Sequence, residues 1–197
     1  MLITTLMSVI LVYFLQTVFN VGNLEALRIE KSQEEFINNF NRTFSAEKTR
    51  KQIDIRKSLN LIRIIFNNEV LFESGDYQLQ PQGKLMLDRI ADLFKTSRDR
   101  NIKQIQVEGH TDDRPIEHGG MYPHDNWELS AARSISVVKY LKIDREIYSS
   151  LDKSVFISAN GYADLKPVAN NNTEDGRAKN RRIEILIFFS TPESEKK

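Results

Sequence analysis

The chain contains no cysteine. That excludes structural disulfides, thiolate metal sites, a cysteine nucleophile and a cysteine-linked lipid anchor, and it leaves the redox compartment open. Glycine and proline are scarce, at 8 and 5 of 197 residues, too few for a low-complexity chain. Neither sign of charge dominates: 28 Lys and Arg against 27 Asp and Glu leave a net +1. No bulk attraction to nucleic acid or to an acidic membrane surface follows from that balance. What is present, at 40% hydrophobic content, suffices for one well-packed domain with additional segments.

One stretch lacks ionisable side chains altogether. Leu2 to Phe19 is apolar apart from Thr, Ser and Gln, and a spanning helix needs about 20 largely apolar residues. No basic leader and no small-residue cleavage site flank it, so a membrane anchor (residues 1–20) is expected rather than a removed signal. The first basic residues beyond it are Arg28 and Lys31. By the positive-inside rule they would hold the C-terminal part in the cytoplasm. The alternative is a sequence that starts late, with a basic leader upstream.

Residues 21–60 are mixed in charge and nearly free of Gly and Pro, which predicts a helical linker. Ile29, Phe36, Ile37, Phe40 and Phe44 recur at helical spacing. The stripe reads either as a spacer or as a coiled-coil seam that would make the protein a dimer. Ser45 is a candidate N-cap for a second helix.

From residue 61 to 190 the pattern becomes that of an α/β sandwich. Strands are expected at Leu61–Phe66, Asn101–Val107, Ser154–Gly161 and Arg182–Phe189. Pro81 suits the first turn of a helix with Leu85, Leu87, Ile90, Ala91 and Phe94 facing inward. Asn126 is the expected N-cap of a second helix, with Trp127, Ala131, Ile135, Val138 and Leu141 as its core face. A βαβαββ or βαβαβ order follows, with both helices on one sheet face and the other exposed or covered by the segment before Leu61. Residues 191–197 read as a polar tail.

The chemistry concentrates between Gly109-His110-Thr111-Asp112-Asp113 and Asn126-Trp127-Glu128-Leu129-Ser130-Ala131-Ala132-Arg133. Asn126 and Arg133 stand about two turns apart on one helix face. Arg133 offers a planar fork for a carboxylate, and Asp112 accepts from an ammonium. Thr111 and Asn126 add neutral hydrogen bonds. Such a group suits a zwitterionic amino-acid head group, although a plain salt bridge between strand end and helix uses the same residues. Two rivals are weaker. His110, His118, His124 and Asp112 could hold a metal, but no helical ligand spacing occurs. No GxSxG elbow exists and Ser130 lies within a helix, so no hydrolase is expected.

These residues, with Phe72, Gly75, Leu79-x-Pro81, Gly161-Tyr162, Pro167, Gly176-Arg177 and Asn180-Arg181-Arg182-Ile183-Glu184, resemble the OmpA-like peptidoglycan-binding domain in order. The doubled Asp and the NWELSA stretch are most similar to MotB-type flagellar stator subunits. The ZorB-type subunits of Zorya anti-phage systems share the layout. The resemblance implies binding of the diaminopimelate peptide stem of peptidoglycan, clamped by Asp112 and Arg133. It implies supporting contacts from Thr111, Asn126 and one of Arg181 or Arg182. It further implies no enzyme activity and no cofactor, and a homodimer partnered by a multi-helix subunit of MotA or ZorA type. The C-terminal domain would lie in the periplasm and the single helix in the inner membrane. Stator subunits carry an ion-relaying Asp in the membrane helix, near the position of Met1, and Leu2–Phe19 holds no carboxylate. Either the sequence starts too late to include it, or the protein anchors without conducting.

Overall fold

The protein is described from a computed structural model over residues 2–97, 101–116, 122–149, 151 and 155–189. The helix does not stop where the apolar run ends, near residue 20. It continues without a break as a single helix α1, Leu2–Thr43, followed by the short α2, Ser45–Thr49. No Gly–Pro pair or cap interrupts the run, so nothing in it terminates the helix. Phe44 rather than Ser45 stands at the N-cap of α2. By length and composition α1 can cross a membrane.

Residues 21–60 are not wholly helical, because Ile53–Ser58 forms strand β1. It then pairs with β2, Leu61–Asn67, as an antiparallel hairpin running from Ile53↔Phe66 to Ser58↔Leu61. With only Ile53 and Ile55 apolar, β1 gave no alternation long enough to read. After β2 come α3 (Asn68–Leu71), α4 (Pro81–Ser97), β3 (Ile102–His110) and α5 (Asn126–Lys139). A π turn at Tyr140–Asp144 and a short 3-10 turn at Ile147–Ser149 lead to β4 (Phe156–Gly161), α6 (Glu174–Asn180) and β5 (Arg182–Phe189). The sheet order is β1-β2-β5-β3-β4, antiparallel except for β3 beside β4. The expected mixed α/β class stands, with one strand more.

The phenylalanine stripe of α1 packs into the domain's own core. Phe36, Phe40 and Phe44 are fully buried with Ile29, and the Phe36 and Phe94 rings lie 5.8 Å apart. Glu47 pairs with Arg89, Lys57 reaches Glu30 and Glu34, and Asn101 donates to Ser32. The stripe is therefore taken within one chain, which leaves it neither a free spacer nor available as the coiled-coil seam, the two readings open from sequence. It lies on the helix-covered face of the sheet, so it does not cover the other one.

The inward faces of the helices also differ from expectation. In α4, Leu85 points outward while Met86, Leu87, Ile90, Ala91 and Phe94 are buried. In α5, Trp127 (51% exposed) and Ile135 are outward, whereas Leu129, Ser130, Ala132, Arg133, Ser134 and Val137 are buried. The reason is close approach. A Cβ on Gly109 would meet the Ser130 carbonyl oxygen at 2.1 Å, and one on Gly161 the Ala131 nitrogen at 2.5 Å. Backbone lies against backbone there, so small residues occupy the contact that bulky ones would fill elsewhere. The N-cap of α5 is Asp125, accepting from Glu128 N, and not Asn126. His118 and the tail 191–197 lie outside the described residues.

Candidate functional site

The strand ends Asn67, Arg182, His110 and Gly161 lie together at one end of the sheet, opposite the β1–β2 turn. A cavity of about 910 Å³ opens at that end, lined by Phe72, Thr111, Asp112, Asn126, Arg133 and Arg181 among others. Local hydrogen bonds shape it. Thr111 N donates to Ala163 O as β3 ends, and Asp112 Oδ1 accepts from Arg114 N, turning the chain. Asn126 Nδ2 then donates to the Asp112 and Arg114 carbonyls at 3.2 and 2.8 Å, tying the loop to the start of α5. Asn126 is thus a brace for the loop as well as a cavity wall.

Arg133 is buried from the opposite wall. Its Nε donates to Asp76 O at 2.7 Å and Nη2 to Glu73 O at 3.1 Å, with the guanidinium 5.4 Å from the centre of the Phe72 ring. Gly75, at φ 71°, permits the tight turn that presents both carbonyls to one side chain. Nη1 has no hydrogen-bond partner among the described residues. Burial pushes the Arg133 pKa down to about 10, against the attraction of Asp76 and Asp112 and with a contribution from Arg181. It remains a cation at neutral pH, with half of its fork fixed by carbonyls rather than by a carboxylate.

Asp112 and Arg133 therefore share the cavity without pairing. The partner of Asp112 is Arg181, whose Nη1 donates to Oδ2 at 2.7 Å. Arg181 Nη2 also reaches Glu69 and Glu174, at 3.1 and 3.0 Å. Burial lowers the Arg181 pKa, but these carboxylates outweigh it and raise it above the ordinary arginine value. Arg182 is elsewhere: it donates to Glu184 Oε1 on its own strand at 2.6 Å, and to the carbonyls of Asn180, at the end of α6, and of Lys166, in the loop after β4. Of the two arginines left open by sequence, Arg181 is the one at the cavity, and Arg182 is a core residue. Thr111 is buried at the wall, and its hydroxyl finds no partner among the described residues. Sequence reasoning did not find Glu69, Glu174 or Arg114. They reach the cavity from three separated segments and carry no periodic signal.

The rival metal residues disperse. His124 pairs with Glu128 on α5, and His110 lies within the sheet stacked on Tyr162 at 5.4 Å. His110 does meet Glu108 and Glu184 closely enough to suggest a ligand set. However, Arg182 and Arg63 hold the Glu184 carboxylate at 2.6 and 2.7 Å, and Lys166 stands 3.9 Å from Glu108. Three cations already offset two carboxylates, which disfavours a further divalent charge there.

This fold and cavity define a mixed α/β domain with a polar cavity at one end of its sheet, preceded by a long helix. The chain belongs to the OmpA family, whose model it matches over residues 71–181. It is similar to Motility protein B of Bacillus subtilis, 33% identical over 142 residues, covering 72% of this chain and 51% of that protein. The chain spans 51 to 65% of the length of the first curated relatives it matches. Among solved structures it resembles a MotB-like protein from Desulfovibrio vulgaris at TM-score 0.68 and 27% identity, covering 86% and 99% of the two chains. It also resembles the cell wall anchor of the T6SS from Pseudomonas aeruginosa at TM-score 0.62 and 28% identity, covering 76% and 96%.

Proposed function

We propose that the cavity binds the amino-acid head group of a peptidoglycan stem peptide, of diaminopimelate type, and so anchors the protein to the cell wall. The observation that carries this reading is Arg133: a buried cation with no ion pair among the described residues and with Nη1 uncommitted in a cavity. A ligand carboxylate supplies the partner it lacks, in a low-dielectric site where such a pair is strong. Asp112 accepts the ligand ammonium through lone pairs that Arg181 and Arg114 leave free. Thr111 offers its hydroxyl. The group binds and orients a ligand without chemistry on it.

The similarity to Motility protein B supports the wider reading, in which α1 spans the inner membrane and the domain lies in the periplasm. There the protein is the wall-gripping subunit of a stator-like complex with a multi-helix membrane partner. The cavity lies at the end of the sheet away from the turn beside which α1 enters, which suits a grip directed away from the membrane. Calorimetry with two stem peptides tests the head-group assignment. The diaminopimelate peptide is expected to bind at least tenfold more tightly than a lysine peptide, which lacks the side-chain carboxylate. Equal affinities would remove Arg133 from the role.

A further inference from the structure

Two tyrosines stand just outside the cavity, on the segments that form its walls. Ser74 and Gly75 line the cavity, and Tyr77 follows them on the same loop. Arg114, Pro115 and Ile116 line it from the other side, and Tyr122 lies further along that loop. The two rings meet edge to face at 5.5 Å, and the His124 ring meets Tyr122 in the same manner at 6.1 Å. The three rings thus join two walls that are distant in sequence. Tyr122 is nonetheless 52% exposed, so much of its surface is open to a ligand.

The backbone beneath this aromatic group is held on both sides. Asp76 Oδ1 accepts from Tyr77 N and Gln78 N at 2.6 and 2.9 Å. Glu128 Oε2 accepts from His124 N at 2.8 Å and contacts the His124 ring at 2.7 Å. Rings fixed before a ligand arrives lose little freedom when it binds. Covalent geometry bounds their distance from the head-group site. Asp76 O lies 2.7 Å from Arg133 Nε, so the Tyr77 Cα, one peptide bond further on, is within about 6 Å of that nitrogen. The length of the Tyr77 side chain and the 5.5 Å between rings then put the Tyr122 ring no more than about 15 Å from Arg133. In a stem peptide diaminopimelate is the third residue. The two residues before it and the lactyl link extend about 10 Å to the sugar that carries them. A sugar joined to a stem whose head group sits against Arg133 is therefore within reach of Tyr122. A pyranose has an apolar C–H face that packs on an aromatic ring while its hydroxyls stay in water.

We propose that Tyr122, backed by Tyr77 and His124, is a stacking ledge for a pyranose of the glycan strand that carries the stem peptide, a second contact beside the head-group cavity. The proposal rests on the head-group reading, and its test separates the two. Calorimetry on the full chain in detergent compares the free diaminopimelate stem peptide with the same peptide carrying its N-acetylglucosamine–N-acetylmuramic acid disaccharide. Covering one ring face buries on the order of 50 Å² of apolar surface, which predicts about tenfold tighter binding of the disaccharide-peptide. Tyr122→Ala should remove that gain and leave the affinity for the free peptide unchanged. Tyr122→Phe, which keeps the ring face, should retain it. Equal affinities of the parent protein for the two ligands overturn the ledge and leave the head-group site standing. So does a gain that Tyr122→Ala leaves intact or that Tyr122→Phe also loses, and so does a Tyr122→Ala loss that falls equally on both ligands. Binding of neither ligand overturns both readings.

Discussion

If residues 21–60 were a free spacer, an aromatic side chain there could be removed with no more than the roughly 0.5 kcal/mol effect of a surface substitution. The structure predicts otherwise for Phe40→Ala. Phe40 is fully buried, 4.8 Å from the Phe44 ring and within the same core cluster as Phe36, Phe94 and Ile53. Truncating a buried Phe costs about 3–5 kcal/mol, a large part of the ~5–15 kcal/mol that a domain possesses. At about 2–4 °C per kcal/mol for a domain of this size, Tm should fall by roughly 6–20 °C. The assay is thermal unfolding in detergent followed by fluorescence of Trp127, the one tryptophan, which sits on α5 far along the chain from the mutation. Phe19→Ala, on the exposed part of α1, serves as control and should leave Tm unchanged. A Phe40→Ala shift no larger than the control would refute the packing of α1 into the domain.

Further outcomes follow from single contacts. Gly109→Ala forces a Cβ to 2.1 Å from Ser130 O, so α5 must retreat; about 1–3 kcal/mol of stability should be lost, with weaker peptide binding because Arg133 moves with the helix. The two adjacent arginines should separate. Arg182→Ala breaks a buried pair and should lower stability by about 3–5 kcal/mol, while Arg181→Ala should chiefly alter peptide affinity measured by calorimetry. For Glu108, burial raises the pKa, but the His110 ring 3.5 Å away, the Lys166 charge and the Gln106 hydrogen bond outweigh it, so the folded pKa lies below the ordinary value of 4.5. A depressed carboxyl contributes stability that is present above pH 4.5 and lost as pH falls through the folded pKa. Tm should therefore decline below about pH 4.5, and Glu108→Gln should flatten that decline.

Much of this architecture was legible because apolar periodicity and turn residues report it directly. Strands β2 and β5, the helix beginning at Pro81 and the juxtaposition of Asp112 with Arg133 are of that kind. β1 was not legible, since two isoleucines among Asp, Arg and Lys do not stand out from a polar linker. The core face of α5 was misjudged because bulk was taken as the mark of burial. Gly109 and Gly161 bring the backbones so close that Ser130 and the expected Ala131 occupy the interface, while Trp127 turns outward. The direct Asp112–Arg133 salt bridge considered from sequence gave way for a related reason. Carbonyls of Glu73 and Asp76 take half of the Arg133 fork, and Arg181, from the far end of the chain, takes Asp112. Those partners lie dozens of residues away and depend on the folded sheet.

The central claim is that Arg133 and Asp112 hold a wall peptide. Co-sedimentation of the full chain with purified diaminopimelate-type peptidoglycan tests it most directly. Removing one partner of a desolvated charged contact costs about 2–5 kcal/mol, so Asp112→Ala or Arg133→Ala should weaken binding by roughly 30-fold or more. Trp127 fluorescence confirms that each variant is folded. Folded variants that sediment as fully as the parent protein would contradict the account.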